Sequence, residues 1–407
     1  MTFLKITLTT LTLMKTFFNI RALLLFCCLS LTNASLMAQE AAKLADPVKY
    51  VSYKAGFDIG AQGIKLSIIG FYYKNNKLKQ KLVYDRQESV GLIKGMETNN
   101  GKLRTVDIQD AVAYIQEMME DAKTNFKLID KDFIIYISSG VSIAPNSGDI
   151  ELQTRKILNM SATTVTPKQE AMFGAKASLD RDDFDTGMLV DVGGGSSKGG
   201  FLQKYIGADN KERYTFKSFS IEYGARRLSE RVMKRSPKPE DYLVDLKKTV
   251  DDTLSVLMRS SFGDNPGIRA ANRSIIYMTG GSAYQFITWL APEKVQDEIV
   301  EFTYDDLNNF YYMLQTTTGW AAFEERKFDY ITDATLKTLI MKDHEKATKK
   351  VYNREACLAG ISLIMGLLKE IGNVEKKTYY FSRDAYWINS VVYDTFKGEM
   401  KNDTKKQ

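Results

Sequence analysis

Hydrophobic residues along the chain recur with two periods, and segments of one period alternate with segments of the other. Tyr50–Phe57 reads as a strand, a glycine-containing turn follows, and Ile64–Tyr72 reads as a second strand. In the second, Ile64, Leu66 and Ile68 alternate with Lys65 and Ser67, which predicts a strand with one buried face. A third strand is expected near Leu82–Tyr84. Over Thr105–Lys123 the period lengthens: Ile108, Val112, Ile115 and Met119 recur at three- and four-residue spacing, the stripe of an amphipathic helix. Phe133–Ile137 is a short apolar run, a buried strand ending at Ser138-Ser139-Gly140. Strand, hairpin, helix, strand predicts an α/β fold with a mixed sheet.

A second round of the same events begins at Gly187. Met188–Val192 reads as a strand, Gly193–Ser197 as a turn and Gly199–Tyr205 as a returning strand. Helices are expected at Ala225–Lys234 and Pro239–Ser260, and a strand at Ser274–Met278 running into Thr279-Gly280-Gly281-Ser282 and a further helix. A long, mainly helical stretch covers Tyr304 to about Ile371, then a strand at Thr378–Phe381 and a last helix at Arg383–Phe396.

The two strand–turn–strand units superpose residue by residue. Asp58-Ile59-Gly60-Ala61-Gln62-Gly63-Ile64-Lys65 matches Asp191-Val192-Gly193-Gly194-Gly195-Ser196-Ser197-Lys198. Each runs from a strand through Asp, an aliphatic residue, Gly and a loose turn to a Lys that enters the next strand. One unit in each half predicts a duplicated fold with two facing loops; two unrelated hairpins with shared turn chemistry are the plainer alternative.

The chemistry of such loops suits phosphate. Glycine lets backbone N–H groups approach a ligand, and consecutive turn N–H groups form a concavity for anions. That makes Gly60, Gly193, Gly194, Gly195, Ser196 and Ser197 candidate phosphate ligands, with Lys65 and Lys198 behind them. An aspartate just before such a turn can hold Mg²⁺, which nominates Asp58 and Asp191; starting a turn is the commoner task of Asp beside Gly. Gly280 and Gly281 lie between a strand and a helix, where free helix N–H groups favour phosphate. No Gly-Lys-Ser/Thr order exists for a Walker loop, and Gly193–Gly195 leads into a strand, which excludes a dinucleotide fingerprint.

Composition narrows the field. At 407 residues the chain suits two packed lobes, and its 44% hydrophobic and 26% charged content is that of a soluble globular protein. The net charge of +6 sits partly in Lys346–Lys350 and Lys401–Gln407, with no basic aromatic face, so no nucleic-acid partner is expected. The single histidine, His344, argues against a Ser–His triad or a multi-histidine zinc site, and leaves a carboxylate as general base. Met14-Lys15 and Arg21, the apolar run Ala22–Leu31 and the small-residue stretch to Ala38 read as a signal peptide over residues 1–38, with Met14 an alternative start. A periplasmic or secreted protein without stable membrane insertion is expected, an uncleaved anchor being the rival. Cys27 and Cys28 leave with that segment, so Cys357 has no intramolecular disulfide partner.

Together these features resemble the exopolyphosphatase/guanosine-pentaphosphate phosphohydrolase family, Ppx/GppA, a branch of the actin-like ATPase superfold, from about Lys54 to Phe396. Asp58–Leu66 and Met188–Leu202 look like its two phosphate loops, and Ile276–Ala283 like its third glycine motif. Val165-Thr166-Pro167-Lys168-Gln169-Glu170-Ala171 is similar to its Glu-Glu-Ala segment, Ser220–Leu228 to its Gly-Ala-x-Arg-Leu stretch and Arg354–Glu370 to its late helix. The resemblance implies a two-lobed α/β duplicated fold: 39–49 a linker, 50–170 a first lobe completed by the helix 383–396, 171–382 a second lobe, and 397–407 a basic tail. It implies a Mg²⁺-assisted phosphohydrolase acting on polyphosphate or a nucleoside polyphosphate, with Glu170 orienting water and Ser139 among the phosphate ligands. Taken by itself, Glu170 reads as an exposed helix-start residue. A homodimer is compatible with this reading.

Three departures from the family pattern stand out. Ser138–Ile143 lacks the family's arginine, Lys198 replaces a glutamate, and Ala61-Gln62-Gly63 replaces Ser-Asn-Ser. They motivate a second expectation: a catalytically impaired phosphate- or nucleotide-binding sensor or assembly protein on the same scaffold.

Overall fold

The computed structural model describes residues 48–236, 238–261, 270–350, 353–383 and 386–403. The expected signal peptide, most of the expected linker and the last residues of the expected tail lie outside the described residues.

The first sheet has the order β3-β2-β1-β4-β5, built from β1 (Ser52–Ile59), β2 (Gly63–Lys74), β3 (Lys77–Ser89), β4 (Phe133–Ile137) and β5 (Ala162–Thr164). Between its strands lie α1 (Thr105–Phe126), the single turn α2 (Ser139–Ser142) and α3 (Gly148–Leu158), and α4 (Pro167–Ser178) leads out. β1 pairs antiparallel with β2 and parallel with β4. The mixed sheet follows from the connections: a three-residue turn can only return antiparallel, whereas α1 carries the chain back to a parallel strand.

The second sheet repeats the scheme. It consists of β6 (Gly187–Val192), β7 (Ser197–Ile206), β8 (Glu212–Ile221), β9 (Ile275–Thr279), β10 (Ile299–Phe302) and β11 (Thr378–Ser382), ordered β10-β11-β9-β6-β7-β8. β6 pairs antiparallel with β7 and parallel with β9, as β1 does with β2 and β4. Its helices are α5 (Ala225–Arg235), α6 (Pro239–Lys248), α7 (Ser255–Ser261), α8 (Gly281–Leu290), α9 (Tyr304–Gln315), α10 (Thr317–Glu324), α11 (Ala334–Glu345) and α12 (Arg354–Ile371). The chain closes on α13 (Trp387–Asp403), which extends helix into the segment expected to be a tail.

β2 differs from the strand its alternation predicts. Ile64, Leu66 and Ile68 face the core shared with α1, as expected, but Ser67, Ile69 and Phe71 on the opposite face are also buried. The cover is α13, whose Ile388, Val391, Val392 and Phe396 pack with Ile69 and Phe71. Gly56 makes that approach possible, because a Cβ there would lie 2.6 Å from Val392 Cγ2.

α4 packs on both sheets. Phe173 joins the cluster around α13, while Ala175 and Leu179 pack with Leu189 of β6 and Tyr277 of β9. The boundary drawn between residues 170 and 171 from the sequence falls inside this shared helix.

Candidate functional site

Both glycine turns sit where their sheets' central strands end. Gly60 N–H donates to the Gly63 carbonyl at 2.9 Å, and Gly193 N–H to the Ser196 carbonyl at 3.1 Å, so the two turns close in the same way. Both aspartates stand opposite the matched lysines in the ladder: Asp58 across from Lys65, Asp191 across from Lys198. The turns approach one another closely. A Cβ on Gly194 would lie 2.4 Å from Gln62 Nε2, and one on Gly195 would lie 2.8 Å from the Gly140 carbonyl oxygen.

Between them is a cavity of about 150 Å³ lined by both turns, by Ser138, Gly140, Glu170 and Thr279–Gly281, and by Gln87, Tyr386 and Trp387. Asp58, Gly60, Lys65, Glu170, Asp191, Gly193, Gly194, Gly195, Ser196, Lys198, Gly280 and Gly281 therefore converge on one space. Two nominated residues do not line it. Ser197 is the first residue of β7, and its hydroxyl turns away to donate to the Tyr223 carbonyl at 2.7 Å. Ser139 lies behind the wall, its N–H committed to Glu170.

Glu170 occupies the first turn of α4, which opens with Pro167 and a Thr166–Gln169 capping box. Proline there loses no helical hydrogen bond, and the cap satisfies the first free amides. The residue is at a helix start, as its sequence suggests, but it is only 4% exposed. Its Oε2 accepts from Ser139 N–H at 2.7 Å, and its Oε1 lies 2.9 Å from Lys198 Nζ. Lys198 Nζ also lies 3.3 Å from Asp191 Oδ2. Burial lowers the proton affinity of Lys198; the Glu170 and Asp191 carboxylates outweigh that and push its pKa up, so it stays an ammonium.

Asp58 has the opposite surroundings. Its Oδ1 is buried without a hydrogen-bond partner. Burial first, and the Glu170 charge after it, push its carboxyl up to about 7, against the pull of Lys65, Lys198 and a hydrogen bond from Trp387. Lys65 reaches over the Tyr386 ring, with Nζ 4.5 Å from the centroid. A buried carboxylate oxygen without a donor suits a cation, so Asp58 fits a metal ligand; Asp191 shares its Oδ2 with an ammonium instead. Among the described residues no group of three or more His, Cys, Asp or Glu is arranged to hold a metal ion.

Gly280 begins α8 at φ 88°, ψ 171°, a conformation confined to glycine. A Cβ there would lie 2.4 Å from Asp191 Oδ1 and 2.6 Å from the Val192 carbonyl oxygen. No side chain caps this helix, and Gly280 and Gly281 at its start line the cavity, so uncapped helix amides lie beside it, an environment that favours an anion. Gly280→Ala is expected to destabilise the protein by about 3 kcal/mol, strain and clash together, measured by urea unfolding. An unchanged midpoint would contradict the geometry.

His344 has no part in the site. It is buried in α11 with Nε2 2.6 Å from the Phe323 carbonyl oxygen, and its proton affinity is lowered by burial. Gln62, Trp387 and Tyr386 were not nominated as site residues from the sequence. Gln62 stood out only as part of a departure from the family's first loop, and the other two arrive from the far end of the chain, just before and at the start of the helix that covers β2.

No protein-family model and no curated protein matches the chain. Solved structures do. A Ppx/GppA family member from Aquifex aeolicus aligns over 85% of this chain and 98% of its own, at 20% identity and a TM-score of 0.55. An exopolyphosphatase from Cytophaga hutchinsonii aligns over 85% and 98%, at 17% identity and a TM-score of 0.60. The chain has the Ppx/GppA fold. An exopolyphosphatase-like protein aligns equally well, over 85% and 99% at a TM-score of 0.57 and 14% identity. The duplicated α/β architecture with two mixed sheets, expected from the paired loops, is the one observed. Within the Ppx/GppA fold, the glycine turns of the two halves face one another across the cavity.

Proposed function

We propose that the protein is a phosphohydrolase of the exopolyphosphatase type, working outside the cytoplasm, that removes a terminal phosphoryl group from a polyphosphate chain. The observation that carries this is Glu170: a buried carboxylate pinned at two points on the wall of a cavity bounded by three glycine turns. The cavity's 150 Å³ is below the roughly 300–1,000 Å³ of pockets that enclose a drug-sized ligand. It suits a phosphoryl group entering end-on, which favours linear polyphosphate over an enclosed nucleoside; nucleoside polyphosphates remain the second substrate class.

In this reading the turn amides and the start of α8 hold the phosphoryl oxygens, and Lys65 adds positive charge. Glu170 accepts a hydrogen bond from water and then its proton as the water oxygen bonds to phosphorus; the bridging P–O bond breaks and the shortened chain departs as the anion. Ser139 N–H and Lys198 take one site on each Glu170 oxygen, and a carboxylate has about four, so room remains for water. Asp58 would hold Mg²⁺, the rest of its shell coming from water and phosphate. The ion, when bound, supplies charge neutralisation.

The test is phosphate release from tripolyphosphate, longer polyphosphate and ATP, with Mg²⁺ and with EDTA. Release from the polyphosphates at several times the rate from ATP is expected; no release from any substrate rules the activity out. A binding protein without turnover is the second reading, favoured by the ion pair that holds Glu170 and by the lack of an arginine in Ser138–Ile143. Tripolyphosphate binding without release would establish it.

A further inference from the structure

The duplicated halves treat their matched lysines differently. In the first half Lys65 is drawn over the Tyr386 ring, 4.5 Å from its centroid, and Asp58 Oδ1 has no partner. In the second half Lys198 turns inward, 2.9 Å from Glu170 and 3.3 Å from Asp191, with its side chain only 5% exposed. The strand pairing is the same in both places, with each lysine directly opposite its aspartate. The difference therefore lies in what surrounds the two side chains.

We propose that Lys198 is the fixed cation of the site: at Asp191 and Glu170 its ammonium takes the charge-neutralising place of a divalent ion, which leaves Asp58 as the carboxylate open to metal. This rests on reading the cavity as a phosphate site. A buried carboxylate, Glu170, and a partly buried one, Asp191, close to one centre need compensating positive charge, and an ammonium paired with both provides it. Magnesium demands a near-octahedral shell of oxygens at about 2.1 Å and tolerates a neighbouring cation poorly. Asp191 thus departs from the pair of metal-binding aspartates that the matched turns suggest. Lys198 is a positioning residue as well, since it fixes the carboxylate assigned to water.

Mg²⁺ titration calorimetry on the mature chain tests this, with and without tripolyphosphate, for wild type, Lys198→Met, Lys198→Arg and Lys198→Glu. Lys198→Glu is expected to bind Mg²⁺ at least tenfold more tightly than wild type, Lys198→Met several-fold more tightly, and Lys198→Arg about as wild type. Thermal unfolding is the second readout: Mg²⁺ should raise the midpoint of Lys198→Met by several degrees more than that of wild type. Mg²⁺ affinity that is the same in wild type, Lys198→Met and Lys198→Glu overturns the proposal, as does a Lys198→Met chain that fails to fold in Mg²⁺ and EDTA alike. If wild type binds no tripolyphosphate in either condition, the phosphate reading fails, while the titrations without tripolyphosphate still judge the role of Lys198.

Discussion

Glu170→Gln is expected to lower phosphate release by about a thousandfold while tripolyphosphate binding changes little. The substitution keeps size and shape, and the amide oxygen can still accept from Ser139 N–H, which the carboxylate does at 2.7 Å. What goes is the negative charge and the basic oxygen. A positioned general base contributes about 10²–10⁴ in rate, and the midpoint of that range sets the expectation. Lys198 retains Asp191 at 3.3 Å, so the ammonium is not abandoned in the interior and the fold should hold. Single-turnover release and calorimetric binding, measured side by side, separate chemistry from affinity. Equal release from the variant and wild type would remove Glu170 from the reaction and leave the cavity as a binding site.

How far the sequence anticipates this site depends on which interactions are local. The matched turns are local: Asp, Gly and Lys recur at the same offsets because one short hairpin is built twice, and the pairing of Asp58 with Lys65 and of Asp191 with Lys198 follows. Sheet class, β1, β4, β6 and α1 were legible from period and length. The clamp on Glu170 was not legible, because Lys198 reaches it only once α4 is laid across both sheets. Burial of Glu170 was hidden for the same reason: its neighbours Lys168 and Gln169 are polar, and cover comes from another part of the chain. β8 escaped notice because its first half, from Glu212 to Thr215, is exposed and polar, and β5 and β10 because they are too short to show a period. The helix expected over Pro239–Ser260 is interrupted by a wider π-type turn at Thr249–Leu254, a change of winding that apolar spacing does not reveal.

Asp58→Asn is expected to stabilise the protein at pH 8, with the gain disappearing towards pH 4. Burial holds the Asp58 carboxyl near 7 in the fold, against 3.8 for an ordinary aspartate. A carboxyl with a raised pKa binds its proton more tightly folded than unfolded, so stability falls as pH rises between those values. The penalty is absent below 3.8, grows through the interval and is complete above about 7. The difference is worth on the order of 4 kcal/mol, an upper figure because the folded state can relax around the charge. Asparagine carries no charge to desolvate, and its stability should be flat across the same range. Urea unfolding of both proteins at pH 4, 6 and 8 without divalent ions reads the effect; parallel pH profiles would show that Asp58 carries no such strain. Mg²⁺ sharpens the contrast, since a cation on Asp58 relieves the same penalty in wild type and has nothing to relieve in the variant. On the proposed function, the variant should therefore be the more stable protein and release phosphate more slowly, a buried carboxylate kept at a cost in stability for the cation it would hold.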